Sequence, residues 1–365
     1  MGRITAILKL THECNLDCTY CYYCRGQKSD LPAKLSIENI EIILDKLSGH
    51  YNHIELILHG GEPLLWGLDN FSRLVRIEKK ITEHRSITFK NSIQTNGTIY
   101  SPELSNLFVT NDIGIGISLD GLEITHDKNR LFKTTHLGTF KTIKKNISSF
   151  KNDGIKLGII SVANKTITEK PKDIYLFFKE NGLNFKINEL ICSDINNYLY
   201  PSDDELFQFY KEIFDLWISD TKEPILKINP FSNIISGFWY DSVSACTYLG
   251  NCHSYFSIET DGSVFPCGRF NHIEEFKLGN IINNSWIEIL ESDNLTKIAC
   301  RKKIITKICC SCKWLKMCWG GCSASSYYYY KNLNSPTPLC NVRKKLFEYI
   351  YYSIINIRME VKNGI

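Results

Sequence analysis

Three methionines, ten prolines and a surplus of only four basic over acidic side chains stand out as scarcities in a chain of 365 residues. The near-even charge, with no basic run interleaved with aromatics, excludes a nucleic-acid groove. No apolar run reaches the ~20 residues that a membrane span needs. The opening MGRITAILKL reads as a start followed by a strand, without a charged-then-apolar leader or a small-residue cleavage site. Export and membrane insertion are therefore not expected, and the cytoplasm is the expected location. Internal repeats are absent, and low complexity is confined to Tyr327–Tyr330. Against these absences stands one excess, 15 cysteines. Disulfides are disfavoured in a reducing compartment, so clustered thiols there point to metal.

The length suits one large unit and one smaller one, and 43% hydrophobic residues can bury a sizeable core. Up to about residue 220, short β-rich runs alternate with amphipathic stretches, the pattern of repeated βα units on a parallel sheet. Strands are predicted near Ala6–Leu10, Ile54–Leu58, Thr88–Ile93, Ile113–Ser118, Lys156–Val162 and Asn184–Leu190. Ile37, Ile40, Leu44 and Leu47 recur at helical spacing behind a candidate N-cap, Ser36; Phe140, Ile143, Ile147 and Phe150 repeat the pattern. After Pro224 the helical rhythm stops and cysteines appear among Gly, Ser and Asn. From about Asn341 a final amphipathic stretch (Leu346, Ile350, Ile354) predicts a closing helix.

Directly after the first predicted strand, Cys14, Cys18 and Cys21 lie at C-x₃-C-x₂-C spacing. Three thiolates can hold three irons of a 4Fe–4S cluster and leave the fourth open to an external chelator. The alternative is a loop of buried or zinc-binding cysteines, although structural zinc takes four ligands. Gly60-Gly61-Glu62-Pro63 follows the second strand, Gln94-Thr95-Asn96-Gly97 the third, and Ser118-Leu119-Asp120-Gly121, with His126, Asp127 and Arg130 behind it, the fourth. In this order the motifs resemble the radical S-adenosylmethionine (SAM) superfamily, which implies a partial (β/α)6 TIM barrel. The resemblance implies that SAM chelates the open iron. It also implies that Gly60, Gly61 and Glu62 form the turn receiving its ammonium group, Asn96 meets the ribose, Ser118 and Arg130 the carboxylate, and Tyr20 packs beside the adenine.

Further on, Cys246, Cys252, Cys267, Cys309, Cys312, Cys318, Cys322 and Cys340 resemble the cysteine pattern of SPASM domains. The resemblance implies two auxiliary clusters, one on Cys246, Cys252, Cys267 and Cys322 and one on Cys309, Cys312, Cys318 and Cys340; spacing alone assigns neither, and C-x₂-C pairs also make zinc knuckles. The expected architecture is a barrel over 1–224, a SPASM domain over 225–345 and a C-terminal helix over 346–365. Cys24, Cys192, Cys300 and Cys310 fall outside both patterns and are expected to be structural, free cysteines being usually buried.

Three 4Fe–4S clusters and SAM imply an oxidoreductase in which a 5′-deoxyadenosyl radical removes a hydrogen from a precursor peptide. A reductant such as flavodoxin or ferredoxin is a further implied partner. Anaerobic sulfatase maturases are similar but carry an acidic base directly after the third auxiliary cysteine and glutamine before the GGEP turn. Here those positions are Gly268 and His59. The combination looks more like maturases of ribosomally made peptides that form cyclophane-type carbon–carbon crosslinks; formylglycine and thioether formation stay as alternatives, and a small-molecule radical dehydrogenase or a bare electron carrier are weaker ones. No room for a leader-binding module precedes Ala6, so a separate protein supplies it or the peptide binds directly. No general base is assigned; His59, His126 and Asp120 are polar candidates, and Tyr22 and Tyr23 candidate substrate contacts.

Overall fold

The structure, a computed structural model, describes residues 2–23, 31–191 and 197–362. Cys24 and Cys192 lie outside the described residues. All six expected strands form: β1 (Gly2–Thr11), β2 (Tyr51–Gly60), β3 (Thr88–Thr95), β4 (Gly114–Ser118), β5 (Leu157–Ala163) and β6 (Phe185–Glu189). Alternation drives them. In β2, Ile54, Leu56 and Leu58 are buried on one face. Ser36 caps the helix Ile37–Ser48, its hydroxyl accepting from Asn39 N at 3.1 Å. The expected stripes Ile37/Ile40/Leu44/Leu47 and Phe140/Ile143/Ile147/Phe150 are buried.

The chain divides into two compact units. The first comprises Met1–Leu119, His126–Ile159 and Cys252–Ala299. Three later strands join it, β8 (Tyr255–Ile258), β9 (Ser263–Phe265) and β10 (Gly279–Asn280), giving the order β10-β9-β8-β1-β2-β3-β4. β1 pairs in parallel with β2 on one side and β8 on the other, Thr5–Leu8 opposite Tyr255–Ile258. That pairing explains why Cys252–Ala299 clusters with the N-terminal strands, a cut different from the motif-based boundary at 224.

The second unit comprises Asp120–Thr125, Ile160–Asn251 and Cys300–Ile365. β6 pairs in parallel with β7 (Ile228–Asn229), and the helices Asp203–Ile218, Phe231–Tyr240 and Cys340–Lys362 bury Phe209, Phe214, Phe231, Ile234, Phe347 and Ile350. Helical structure does not stop after Pro224: Phe231–Tyr240 and Asp293–Ile308 are helices. The first hides its period because Trp239 and Tyr240 extend the apolar run onto an exposed face; in the second, the buried stripe Leu295, Ile298, Arg301, Ile305 includes a cation. No helix among the described residues is long and apolar enough to cross a membrane.

Candidate functional site

β1 ends at Thr11, and the thiol loop follows. The turn after β2 is pressed onto it: Gly61 N donates to Thr11 O and Glu62 N to Glu13 O, both at 2.8 Å. A Cβ at Gly60 or Gly61 would collide with the Thr11 or Glu13 carbonyl, and Gly60 has φ 137°, so only glycine allows this approach. The Glu62 carboxylate, 0% exposed, accepts from Leu64 N (3.0 Å), Thr95 Oγ1 (2.7 Å) and Asn96 N (2.7 Å). Burial pushes its pKa up to about 7, with those three donors opposing. Glu62 thereby ties the ends of β2 and β3 together and orients Asn96, whose Nδ2 donates to Asn15 Oδ1 (2.8 Å) and faces Cys14 Sγ at 3.9 Å.

Behind β4, Arg130 is 8% exposed. Its Nε donates to Tyr20 Oη at 2.7 Å, and Nη1 lies 3.9 Å from Cys18 Sγ. Ser118 Oγ accepts from Gln94 Nε2 at 3.1 Å. Tyr20, Arg130 and Cys18 are thus together, as are Gly60, Gly61, Glu62, Asn96 and Cys14. His126 and Asp127 serve the scaffold: His126 Nε2 meets Thr139 Oγ1 (2.9 Å), and Asp127 Oδ1 accepts from Thr139 N and Phe140 N at the start of the helix Phe140–Asn152. Asp120 Oδ1 accepts from Val162 N. His59 Nδ1 accepts from Gly60 N (2.7 Å), and burial, then Lys9, pushes its pKa down to about 3. Tyr22 is exposed and Tyr23 buried. A Cβ at Gly268 would lie 3.3 Å from Lys9 Nζ, so an ammonium, not a carboxylate, faces that position.

In the second unit, Cys309, Cys312, Cys318 and Cys340 line one cavity of about 180 Å³. Burial raises the Cys309 pKa, and the neighbouring Cys340, Cys312 and Cys318 raise it further: four thiolates facing one another repel unless a cation lies among them. Two arginines, missed in the sequence because their partners are remote, shape this pocket. Arg301 donates to the carbonyls of Gly320, Gly321, Leu333 and Ser335 and fixes the turn between Cys318 and Cys322. Arg343 pairs with Glu189, donates to Thr247 O (2.8 Å) and lies 3.7 Å from Cys318 Sγ. Of the remaining thiols, Cys246 and Cys322 belong to the second unit, Cys252 and Cys267 to the first. Cys300 and Cys310 are exposed, against the expectation of burial, because each sits on the outer side of its helix or turn.

A model of the radical SAM superfamily matches residues 8–178, and one of an iron–sulfur cluster-binding domain, SPASM, matches 246–313. A cysteine-type anaerobic sulfatase-maturating enzyme of Clostridium novyi (strain NT) is 31% identical over 366 residues, with 95% of each chain covered. The chain belongs to the radical SAM superfamily. This radical SAM enzyme, with its SPASM domain, also matches a solved structure of native anSMEcpe with bound AdoMet and Kp18Cys peptide (TM-score 0.88, 25% identity, all of both chains covered). Streptococcus suis SuiB bound to precursor peptide SuiA shares the fold (TM-score 0.66, 18% identity, 93% of this chain and 76% of that one). The donor sets suit iron–sulfur chemistry: three thiols on one loop, with Asn96 and Arg130 donors facing two of them, and four converging thiols in one cavity.

Proposed function

We propose that this enzyme oxidatively modifies a side chain of a precursor peptide or protein, with Cys14, Cys18 and Cys21 holding the SAM-binding cluster and the two cysteine quartets holding auxiliary clusters. When bound, cluster and SAM supply the radical that takes hydrogen from an unactivated carbon. The chain's own residues would orient SAM: Arg130, held by Tyr20, and Ser118 would take its carboxylate end, Asn96 the ribose, and the carbonyls of the Gly60–Gly61 turn the ammonium group. The observation that carries the reading is the convergence of Cys14, Cys18, Arg130, Asn96 and the glycine turn around one loop. The reading takes the enzyme to act in the cytoplasm with a flavodoxin- or ferredoxin-type reductant, and with a separate leader-binding protein where the peptide needs one.

For the product, we favour a carbon–carbon side-chain crosslink. Gly268 beside Lys9 supports it, because no carboxylate base stands directly after Cys267. Full-length similarity to sulfatase-maturating enzymes supports formylglycine formation as the second reading. Reconstituted anaerobically, the enzyme should hold about twelve irons, falling to about eight with Cys14/Cys18/Cys21→Ala, and should form 5′-deoxyadenosine from SAM and dithionite only when the triplet is intact. Offered aromatic-rich precursor peptides and a sulfatase-derived cysteine peptide, it should remove two hydrogens from the former to give a ring-linked product. A hydrazine-reactive aldehyde from the latter, with no crosslink, would establish the second reading; full clusters without SAM cleavage would overturn both.

A further inference from the structure

We propose that His12, Glu259 and His272 form a site for one divalent first-row transition-metal ion, separate from the cysteine sites. All three lie in the first unit. His12 follows β1, Glu259 follows β8, which pairs with β1, and His272 lies beyond β9. The residues are 247 positions apart or more from His12, so only the β1–β8 pairing assembles them.

The Glu259 carboxylate is buried and presents one oxygen to each imidazole. His12 Nε2 is 3.4 Å from Oε2 and His272 Nε2 3.9 Å from Oε1. All three candidate ligand atoms lie within 4.8 Å of one another. Ligands at ~2.0–2.2 Å from one tetrahedral ion stand about 3.3–3.6 Å apart, so the two imidazole–carboxylate pairs already stand near that spacing, and a trio no wider than 4.8 Å closes on an ion by side-chain shifts of about 1 Å. The Tyr23 hydroxyl donates to Glu259 Oε2 at 3.1 Å and sits 2.7 Å from His12 Nδ1. With the phenol proton directed at the carboxylate, Nδ1–H donates to the phenol oxygen and Nε2 carries the lone pair, the tautomer a metal-binding histidine takes from its outer partner. Thr260 Oγ1, 2.8 Å from that nitrogen, is a single rotor able to turn away.

His272 supplies the independent sign. Its Nε2 is buried with no hydrogen-bond partner, and its backbone has φ 64°, in the left-handed region that histidine enters more readily than most residues. An imidazole nitrogen without a hydrogen bond, facing a buried carboxylate beside a second imidazole, is a donor arrangement suited to a divalent cation. Asn271 Nδ2 donates to Glu259 Oε1 and fixes the carboxylate. Lys9 and Asp261 are the other charged groups facing the trio; burial, with Lys9 beside it, lowers the His272 pKa, which favours the neutral ligating form. Two imidazoles and one carboxylate leave coordination positions open for a carbonyl, hydroxyl or thiolate of a bound peptide.

Holoenzyme with full iron and sulfide loading is dialysed anaerobically against Zn²⁺, and zinc per chain is measured by elemental analysis. One zinc beyond the cluster metal is expected, with affinity falling at least about tenfold in His272→Ala and in Glu259→Gln at unchanged iron content, and to a lesser degree in Tyr23→Phe. Absence of zinc from the wild type, or equal zinc in wild type and His272→Ala, would overturn the site. Should Glu259→Gln disturb cluster loading, His272→Ala decides, since its Nε2 holds no other bond.

Discussion

Cys14, Cys18 and Cys21 lie on a loop supported mainly by backbone contacts, whereas Cys309, Cys312, Cys318 and Cys340 line a cavity braced by two buried arginines. The contrast extends to buried carboxylates. In the first unit Glu62 and Glu78 are served by neutral donors; in the second, Glu189 is paired with the guanidinium of Arg343. A three-thiol loop has one ligand fewer than the four irons of a cubane cluster, and Arg130 beside Cys18 adds a cation suited to an anionic outside ligand. A four-thiol cavity locked by an ion pair is complete in itself and fits electron transfer better than substrate binding.

The widest separation of the two sites should come from single cysteines. Cys18→Ala is expected to abolish 5′-deoxyadenosine formation, while Cys312→Ala loses about four irons yet still cleaves SAM and fails only in product formation. Liquid chromatography of the reaction, with iron analysis, checks both. Complete loss of SAM cleavage in Cys312→Ala would erase the functional distinction.

Next in size is the ion pair. Arg343 and Glu189 have side chains only 3% and 9% exposed, so Arg343→Met strands a buried carboxylate at about 3–5 kcal/mol. A lowered denaturation midpoint should show it. Replacing both members, Arg343→Met with Glu189→Gln, should recover part of the loss, because no uncompensated charge remains. SAM cleavage should be affected far less than stability, since this pair braces the other site.

Gly61→Ala tests the backbone-supported loop. Its Cβ would meet the Glu13 carbonyl, pushing the turn and the thiol loop apart. Displacement of about 1 Å at a reacting geometry can lower rate about 100-fold, so SAM cleavage should fall by that order while the Cys309–Cys340 cavity keeps its iron. Wild-type turnover in Gly61→Ala would show that the close approach is dispensable.

Much of this was legible beforehand for a physical reason: β2 alternates strictly, Ser36 precedes a clean apolar stripe, and Cys14, Cys18 and Cys21, like Cys309, Cys312 and Cys318, are close in sequence. What escaped notice depends on long-range pairing. Arg343 finds Glu189 154 positions away, Arg301 occupies a buried helical position where periodicity seeks an apolar residue, and Glu259 reaches His12 only because β8 joins β1. The helix Phe231–Tyr240 was hidden by exposed aromatics at its end, a surface feature that local hydrophobicity reads as core.

The smallest expected effect isolates the neutral-donor arrangement away from any cysteine. Glu78, on the helix Leu68–His84, receives Asn91 Nδ2 at 3.0 and 2.8 Å on its two oxygens, and burial pushes its pKa up to about 7. Asn91 Oδ1 is buried without a partner, so a protonated Glu78 can donate to it and an ionised one cannot. The folded pKa exceeds the unfolded 4.5, so the native state binds the extra proton: this stability is fully present below about pH 4.5 and is lost as pH rises through about 7. The loss should be at most on the order of 3 kcal/mol. Glu78→Gln, whose amide can accept from Asn91 Nδ2 and donate to Oδ1 at any pH, should therefore match the wild type near pH 5, exceed it at pH 8, and flatten the dependence of the denaturation midpoint on pH between them. An unchanged slope in the variant would mean that Glu78 is already ionised when buried, and that neutral donors alone suffice to hold a carboxylate in this core.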